Sequence, residues 1–183
     1  MKKIILLSIL SFSLLSCETS VSEKIGGEWL MEGSRLGKGY MIGDQKDSDI
    51  AIKFMDAYEN MDAQLMTELS ADIVKFHPAD IGGVFDVDMT NTDFIVERQS
   101  NWDSISRDYI FIMPLNLEDS DGRLVTTAFE ETRYIKDGST ETNIFYERLY
   151  IDEQDLVARV VQYSRPQMNN LFVIIIKNPL EIN

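Results

Sequence analysis

His77 is the only histidine in the 183-residue chain, and histidine is the side chain whose ordinary titration lies nearest neutral pH. Asp80 follows it closely and can orient an imidazole. A His–Asp pair inside a closed pocket can move a proton, which makes His77 and Asp80 the candidate catalytic residues. The same facts fit an exposed strand-end histidine beside Pro78. Tyr58, Trp102, Tyr109, Glu130 and Tyr146 would furnish a ligand pocket with an aromatic wall and one carboxylate, although each residue type is also at home in a core or on its rim.

Other chemistries find no residues to carry them. The chain has no Gly-x-Ser-x-Gly, no glycine-rich phosphate loop and no His/Cys set for a metal, so serine-hydrolase, nucleotide and zinc readings lack support and no cofactor is expected. Asp86, Asp88, Thr90, Thr92 and Glu97 sit at positions 1, 3, 5, 7 and 12 of a calcium-loop pattern. Asn91 replaces the glycine that such a loop needs for its sharp turn, however, and residues 74–84 do not read as the entering helix. A helix start, with Thr90 and Asp93 in a capping-box-like arrangement, is the better reading. The formal charge is −14. Such a surface repels phosphate backbones, and no basic stripe offsets it, so nucleic-acid binding is excluded.

Cys17, the only cysteine, rules out an intramolecular disulfide and carries a different chemistry. Lys2 and Lys3 form a basic start, residues 4–15 are mostly apolar but too short to span a bilayer comfortably, and Leu14-Leu15-Ser16 precede the cysteine. This resembles the bacterial lipobox, in which a small residue precedes a cysteine that is lipidated and becomes the mature N-terminus; Leu15 departs from its usual small residue. The expectation is a signal over residues 1–16, a polar tether over 17–25 (CETSVSEKI) and one domain over 26–183 with an extension at 167–183. The chain would be lipid-anchored in the bacterial cell envelope, since buried acyl chains hold a protein firmly to a membrane. Losing Lys2 and Lys3 leaves 15 basic against 31 acidic residues, a net of −16.

The elements that must position these groups fall into two halves. Residues 26–43 are glycine-rich and read as an irregular or hairpin-like cover with Trp29 as a packing plug. Asp47 or Ser48 can cap a helix carrying Ile50, Phe54, Ala57, Tyr58 and Met61 at helical spacing, and Asp62 can start a second short helix. Residues 73–77 (IVKFH) read as a short strand ended by Pro78, and Phe94, Ile95, Arg98, Trp102 and Ile105 as the inner stripe of a third helix reaching about Ser104. The pattern then changes period. Residues 109–117, 124–135, 142–151 and 156–165 are rich in aromatic and β-branched residues and are separated by polar turns, which predicts an antiparallel meander. Asp137-Gly138 is its sharpest turn signal, because a tight hairpin turn needs positive φ.

This order of helix, helix, short strand with His-Pro, tryptophan-bearing helix and long meander resembles the nuclear transport factor 2-like superfamily, including its SnoaL-like members. The stretches that carry the resemblance are IAIKFMDAYENMDAQLMTELSADIVKFHP, FIVERQSNWDSI and TNIFYERLYIDEQDLVARVVQYSRP, within residues 47–166. It implies an α+β, cone-shaped domain with about three N-terminal helices packed on a curved antiparallel sheet, enclosing a pocket. Some members are isomerases, cyclases or dehydratases, and many only bind, dimerise or scaffold. The expected function is therefore binding of a small apolar ligand by a membrane-anchored lipoprotein that can form a homodimer. The alternatives are a SnoaL-like isomerase, cyclase or dehydratase with His77 as general base, and an envelope assembly protein. The latter would use the sheet or the apolar run at 171–176 (LFVIII) as its interface.

Overall fold

The computed structural model describes residues 26–166; the leader, Cys17, the tether and the 171–176 run lie outside them. Residues 26–43 do form a hairpin-like cover. Gly26 N donates to Tyr40 O at 2.7 Å, Tyr40 N to Gly27 O at 2.9 Å and Trp29 N to Lys38 O at 2.9 Å. Trp29 packs against Tyr40, ring centroids 6.4 Å apart. The returning arm ends as β1 (Tyr40–Ile42), which joins the sheet edge by pairing with Leu115–Leu117.

Helix α1 (Gln45–Glu59) starts three or four residues earlier than its sequence suggests. Asp44 is the cap, accepting from Lys46 N at 2.8 Å. Asp47 and Ser48, the expected caps, are buried inside the helix, and Asp47 is committed to an ion pair with Arg123. Helix α2 (Ala63–Glu68) begins as expected, with the Asp62 side chain accepting from Leu65 N at 2.9 Å. Strand β2 (Ser70–His77) follows, then β3 (Phe85–Asp88), which pairs with it antiparallel. β3 carries no strand pattern in the sequence: its single buried residue, Val87, stands between exposed Asp86 and Asp88.

Helix α3 (Asp93–Gln99) departs most from expectation. Its N-cap residue is Thr92, not Thr90, and makes no side-chain cap bond. Thr90 is held instead by Asp88, to which it donates from N at 2.9 Å and from Oγ1 at 2.6 Å. The helix stops at Gln99, and Trp102 and Ile105 belong to β4 (Trp102–Leu117). Pairing with β5 runs from Trp102↔Ile135 to Asn116↔Arg123.

Strands β4, β5 (Arg123–Ile135), β6 (Thr140–Ile151) and β7 (Val157–Pro166) form the predicted meander. At its central turn Gly138 has φ 88°, and Asp137 Oδ1 accepts from Ser139 N at 2.9 Å. The seven strands run in the order β1-β4-β5-β6-β7-β2-β3. All pairs are antiparallel except β2 with β7, which is parallel. A register shift between Tyr109 and Phe111 marks an irregularity in β4 of the kind that bends a sheet. The domain is α+β, its helices lying in the curve of the sheet. The core there includes Phe54, Met55 and Tyr58 of α1, Phe129 of β5, Phe145 and Leu149 of β6, and Val160 of β7. Among the described residues, no helix is long and apolar enough to cross a membrane.

Candidate functional site: a cavity with one polar end

The period-2 geometry of strands decides what faces the helices. Along β6, Phe145, Glu147, Leu149 and Ile151 are buried, while Tyr146 and Arg148 are exposed. Register places Glu147 beside Thr127 of β5 and Gln162 of β7. On the same concave face, one strand over, Arg107 of β4 lies opposite Glu131 of β5. A carboxylate thus sits on a predominantly apolar face of β6.

Between this face and the helices lies a cavity with about 50 Å³ of space open to the centre of a water-sized sphere. That is several times the roughly 10–15 Å³ needed for one ordered water. Most of its wall is apolar: Phe54, Met66, Val74, Phe76, Val87, Met89, Phe94, Ile95 and Val160. Tyr58, Ser70, Arg98, Arg107, Glu147 and Gln162 supply its polar groups. A wider groove of about 530 Å³ lies outside and shares Phe76, Val87, Phe94 and Arg98 with the cavity. Phe76 and Phe94 meet edge to face at 6.0 Å, and the Arg98 guanidinium lies 5.2 Å from the Phe76 ring centre. Asp86, Asp88, Asp93 and Glu97 line the outer groove.

The polar groups are held in two different ways. Arg107 donates through Nε to Glu131 Oε2 at 2.8 Å, and its Nη2 lies 2.6 Å from the same oxygen. Its guanidinium is sandwiched between the rings of Tyr58 and Phe129, at 4.6 and 4.5 Å. Arg133 Nε donates to Glu131 Oε1 at 2.6 Å and lies over Trp102 at 4.5 Å. Burial disfavours the Arg107 charge, but the Glu131 and Glu147 carboxylates outweigh it, so its pKa is raised. Glu147 is only 3% exposed, and its Oε2 accepts from Gln162 Nε2 at 2.6 Å. Burial raises the Glu147 pKa despite the opposing pull of Arg107. A buried carboxyl with raised proton affinity beside a cavity is a candidate for acid–base chemistry. Burial also raises the pKa of Tyr58.

Of the residues singled out in the sequence, only Tyr58 lines this cavity. His77 follows Phe76 on β2, and since Val74 and Phe76 face the core, His77 falls on the opposite face. Burial, with Arg159 and Lys75 nearby, lowers its pKa. Asp80 does not meet it; Asp80 pairs with Arg98 at 3.7 Å. Trp102 stands behind the cavity wall, edge-on to Tyr58 at 6.4 Å. Tyr109 packs on Phe129 and donates from Oη to Asp56 Oδ1 at 3.2 Å, and burial raises its pKa. Glu130 alternates with buried Phe129 and Glu131 and so lies on the outer face of β5. Tyr146 is exposed on that outer face and packs against Phe111, ring centroids 6.4 Å apart. Sequence reasoning missed Arg107, Glu147 and Gln162. The one signal available was Glu147 sharing its face with Phe145, Leu149 and Ile151. Among the described residues, no group of three or more His, Cys, Asp or Glu side chains is placed to hold a metal ion.

No family model and no curated protein matches the sequence. Solved structures do resemble the fold. An epoxide hydrolase of the LEH-like kind from M. tuberculosis superposes with a TM-score of 0.54 at 12% identity, over 66% of this chain and 84% of that one. A nuclear transport factor 2-like protein of unknown function from an Exiguobacterium species gives 0.51 at 14% identity, over 63% and 98%. The fold is nuclear transport factor 2-like, as in these solved structures. A protein described as a SnoaL-like polyketide cyclase, from Shewanella denitrificans, adds 0.50 at 7% identity, over 65% and 90%. At such identities the likeness concerns the nuclear transport factor 2-like fold and leaves the activity to the site.

Proposed function

We propose that this chain is a binding protein whose nuclear transport factor 2-like domain holds a small, mostly apolar molecule in the cavity beneath α1–α3. The observation that carries the reading is the cavity itself, apolar over most of its wall with Glu147 and Gln162 at one end. An apolar cavity with a few convergent polar groups has the chemistry of a small-molecule site, and its size limits the ligand to a small one. The solved neighbours of this fold that are named as a hydrolase and a cyclase support a small-molecule role. Thermal melts of the full-length chain with a panel of single-ring compounds test the idea. A ligand at a hundred times its Kd adds about 2.7 kcal/mol to stability, so a clear rise in Tm is expected in the wild type and its loss in Val74→Trp. A panel that leaves the wild-type Tm unmoved would sink the reading.

Acid–base turnover is the second reading, as an isomerase, cyclase or dehydratase. Glu147 favours it, because it is the cavity carboxyl whose proton affinity burial raises. With His77 as general base the reaction would have to occur on the far face of β2. The membrane anchor belongs to the same proposal. Cys17, lipidated after removal of residues 1–16, would hold the domain in the bacterial cell envelope, and detergent phase-partitioning of wild type against Cys17→Ala decides that point. A homodimer or larger assembly would draw on the outer sheet face, where Phe111, Tyr146 and Tyr163 stand exposed.

A further inference from the structure

We infer that the polar end of the cavity selects a molecule that donates a hydrogen bond: the ligand class is a small apolar alcohol, its hydroxyl bonded to Gln162 Oε1. The inference rests on the binding reading above and specifies its ligand. Gln162 Nε2 donates to Glu147 Oε2 at 2.6 Å. While ionised, Glu147 accepts and cannot donate, so this bond orients the amide and turns Oε1 away from Glu147. Oε1 is buried, and among the described residues no donor reaches it. A buried acceptor without a donor is costly, and a group that supplies the donor recovers that cost.

The surrounding groups narrow the class. An organic anion would meet the Glu147 carboxylate and the Gln162 carbonyl oxygen, both acceptors. An ammonium would find the Glu147 carboxylate, but it would have to shed its hydration in a mostly apolar cavity that already holds the Arg98 and Arg107 guanidinium groups. A ketone or ether brings only acceptors, which Oε1 cannot use. A neutral hydroxyl satisfies the site, and a hydrocarbon body suits Phe54, Met66, Val74 and Val160 around it. An alcohol also retains the bond that a water molecule would make while burying apolar surface that water cannot cover.

The test uses the full-length chain and three probes of one size: cyclohexanol, cyclohexanone and methylcyclohexane, with Kd measured by calorimetry or NMR titration. In the wild type, cyclohexanol should bind about tenfold more tightly than either of the others, as expected for one well-made bond to a buried acceptor. In Gln162→Met, the three should fall within about threefold of one another, the bond being gone. The wild-type comparison stands even where the variant fails to fold. Equal binding of cyclohexanol and methylcyclohexane by the wild type overturns the hydroxyl subsite and leaves the binding reading intact. Preference for cyclohexanone overturns the amide orientation and the proposal with it. Retention of the alcohol preference in Gln162→Met also overturns it. Failure of all three to bind removes the binding reading itself.

Discussion

Two buried carboxylates on the concave face, Glu131 and Glu147, are treated in opposite ways. Glu131 is 1% exposed and each of its oxygens is engaged by a guanidinium, Arg107 on one and Arg133 on the other. The guanidinium groups are themselves packed between aromatic rings. Glu147 is 3% exposed and accepts one short bond from Gln162, whose own Oε1 lacks a donor among the described residues. The first arrangement is closed: its charges answer one another and fasten β4 to β5 beneath α1. The second borders the cavity and has capacity to spare. A saturated buried network is a scaffold, and one left partly unsatisfied beside a cavity is where a ligand has something to gain.

Breaking the closed network should have the largest effect. Glu131→Ala strands the buried Arg107 guanidinium and the partly buried one of Arg133, and removing one partner from a buried ion pair costs about 3–5 kcal/mol. Urea melts should show that loss, and a cost below about 1 kcal/mol would mean that the network is not the scaffold described. Glu147→Gln sharpens the contrast in the other direction. Because burial raises the folded-state pKa of Glu147, the native state holds that proton more strongly than the unfolded chain. Stability therefore falls as pH rises from the ordinary value of 4.5 through the folded pKa. The variant removes that dependence, so its advantage over wild type should be larger at pH 8 than at pH 5. Melts at both pH values check it, and an advantage that shrinks with rising pH would contradict the assignment. The smallest effect belongs to His77. On the far face of β2, His77→Ala should change stability by no more than about 0.5 kcal/mol and leave ligand affinity unaltered. A lost binding signal would return His77 to the site.

The chain's local chemistry was enough for the elements whose signals are local. Asp137-Gly138 specified the β5–β6 turn because only a residue tolerant of positive φ fits there. Asp62 capped α2 because its side chain needs only a backbone N–H three residues away. The β-branched and aromatic runs marked the meander, and with the helices before it they carried the resemblance to the nuclear transport factor 2-like fold. Where the outcome depended on distant residues, local pattern failed. Trp102 and Ile105 sit at helical spacing from Phe94 and Arg98, yet a long ladder with β5 claims them for a strand. Asp47 looks like a cap, yet Arg123 takes its carboxylate into the core. The site shows the same limit. His77 and Asp80 are close in sequence, yet alternation along β2 turns His77 away from the cavity, and Asp80, beyond the end of that strand, pairs with Arg98. Arg107, Glu147 and Gln162 lie on three separate strands, and only the register of β4 through β7 brings them to one concave face. Sequence spacing carries local geometry; which buried charges are answered and which are left under-partnered is settled by strand pairing and burial.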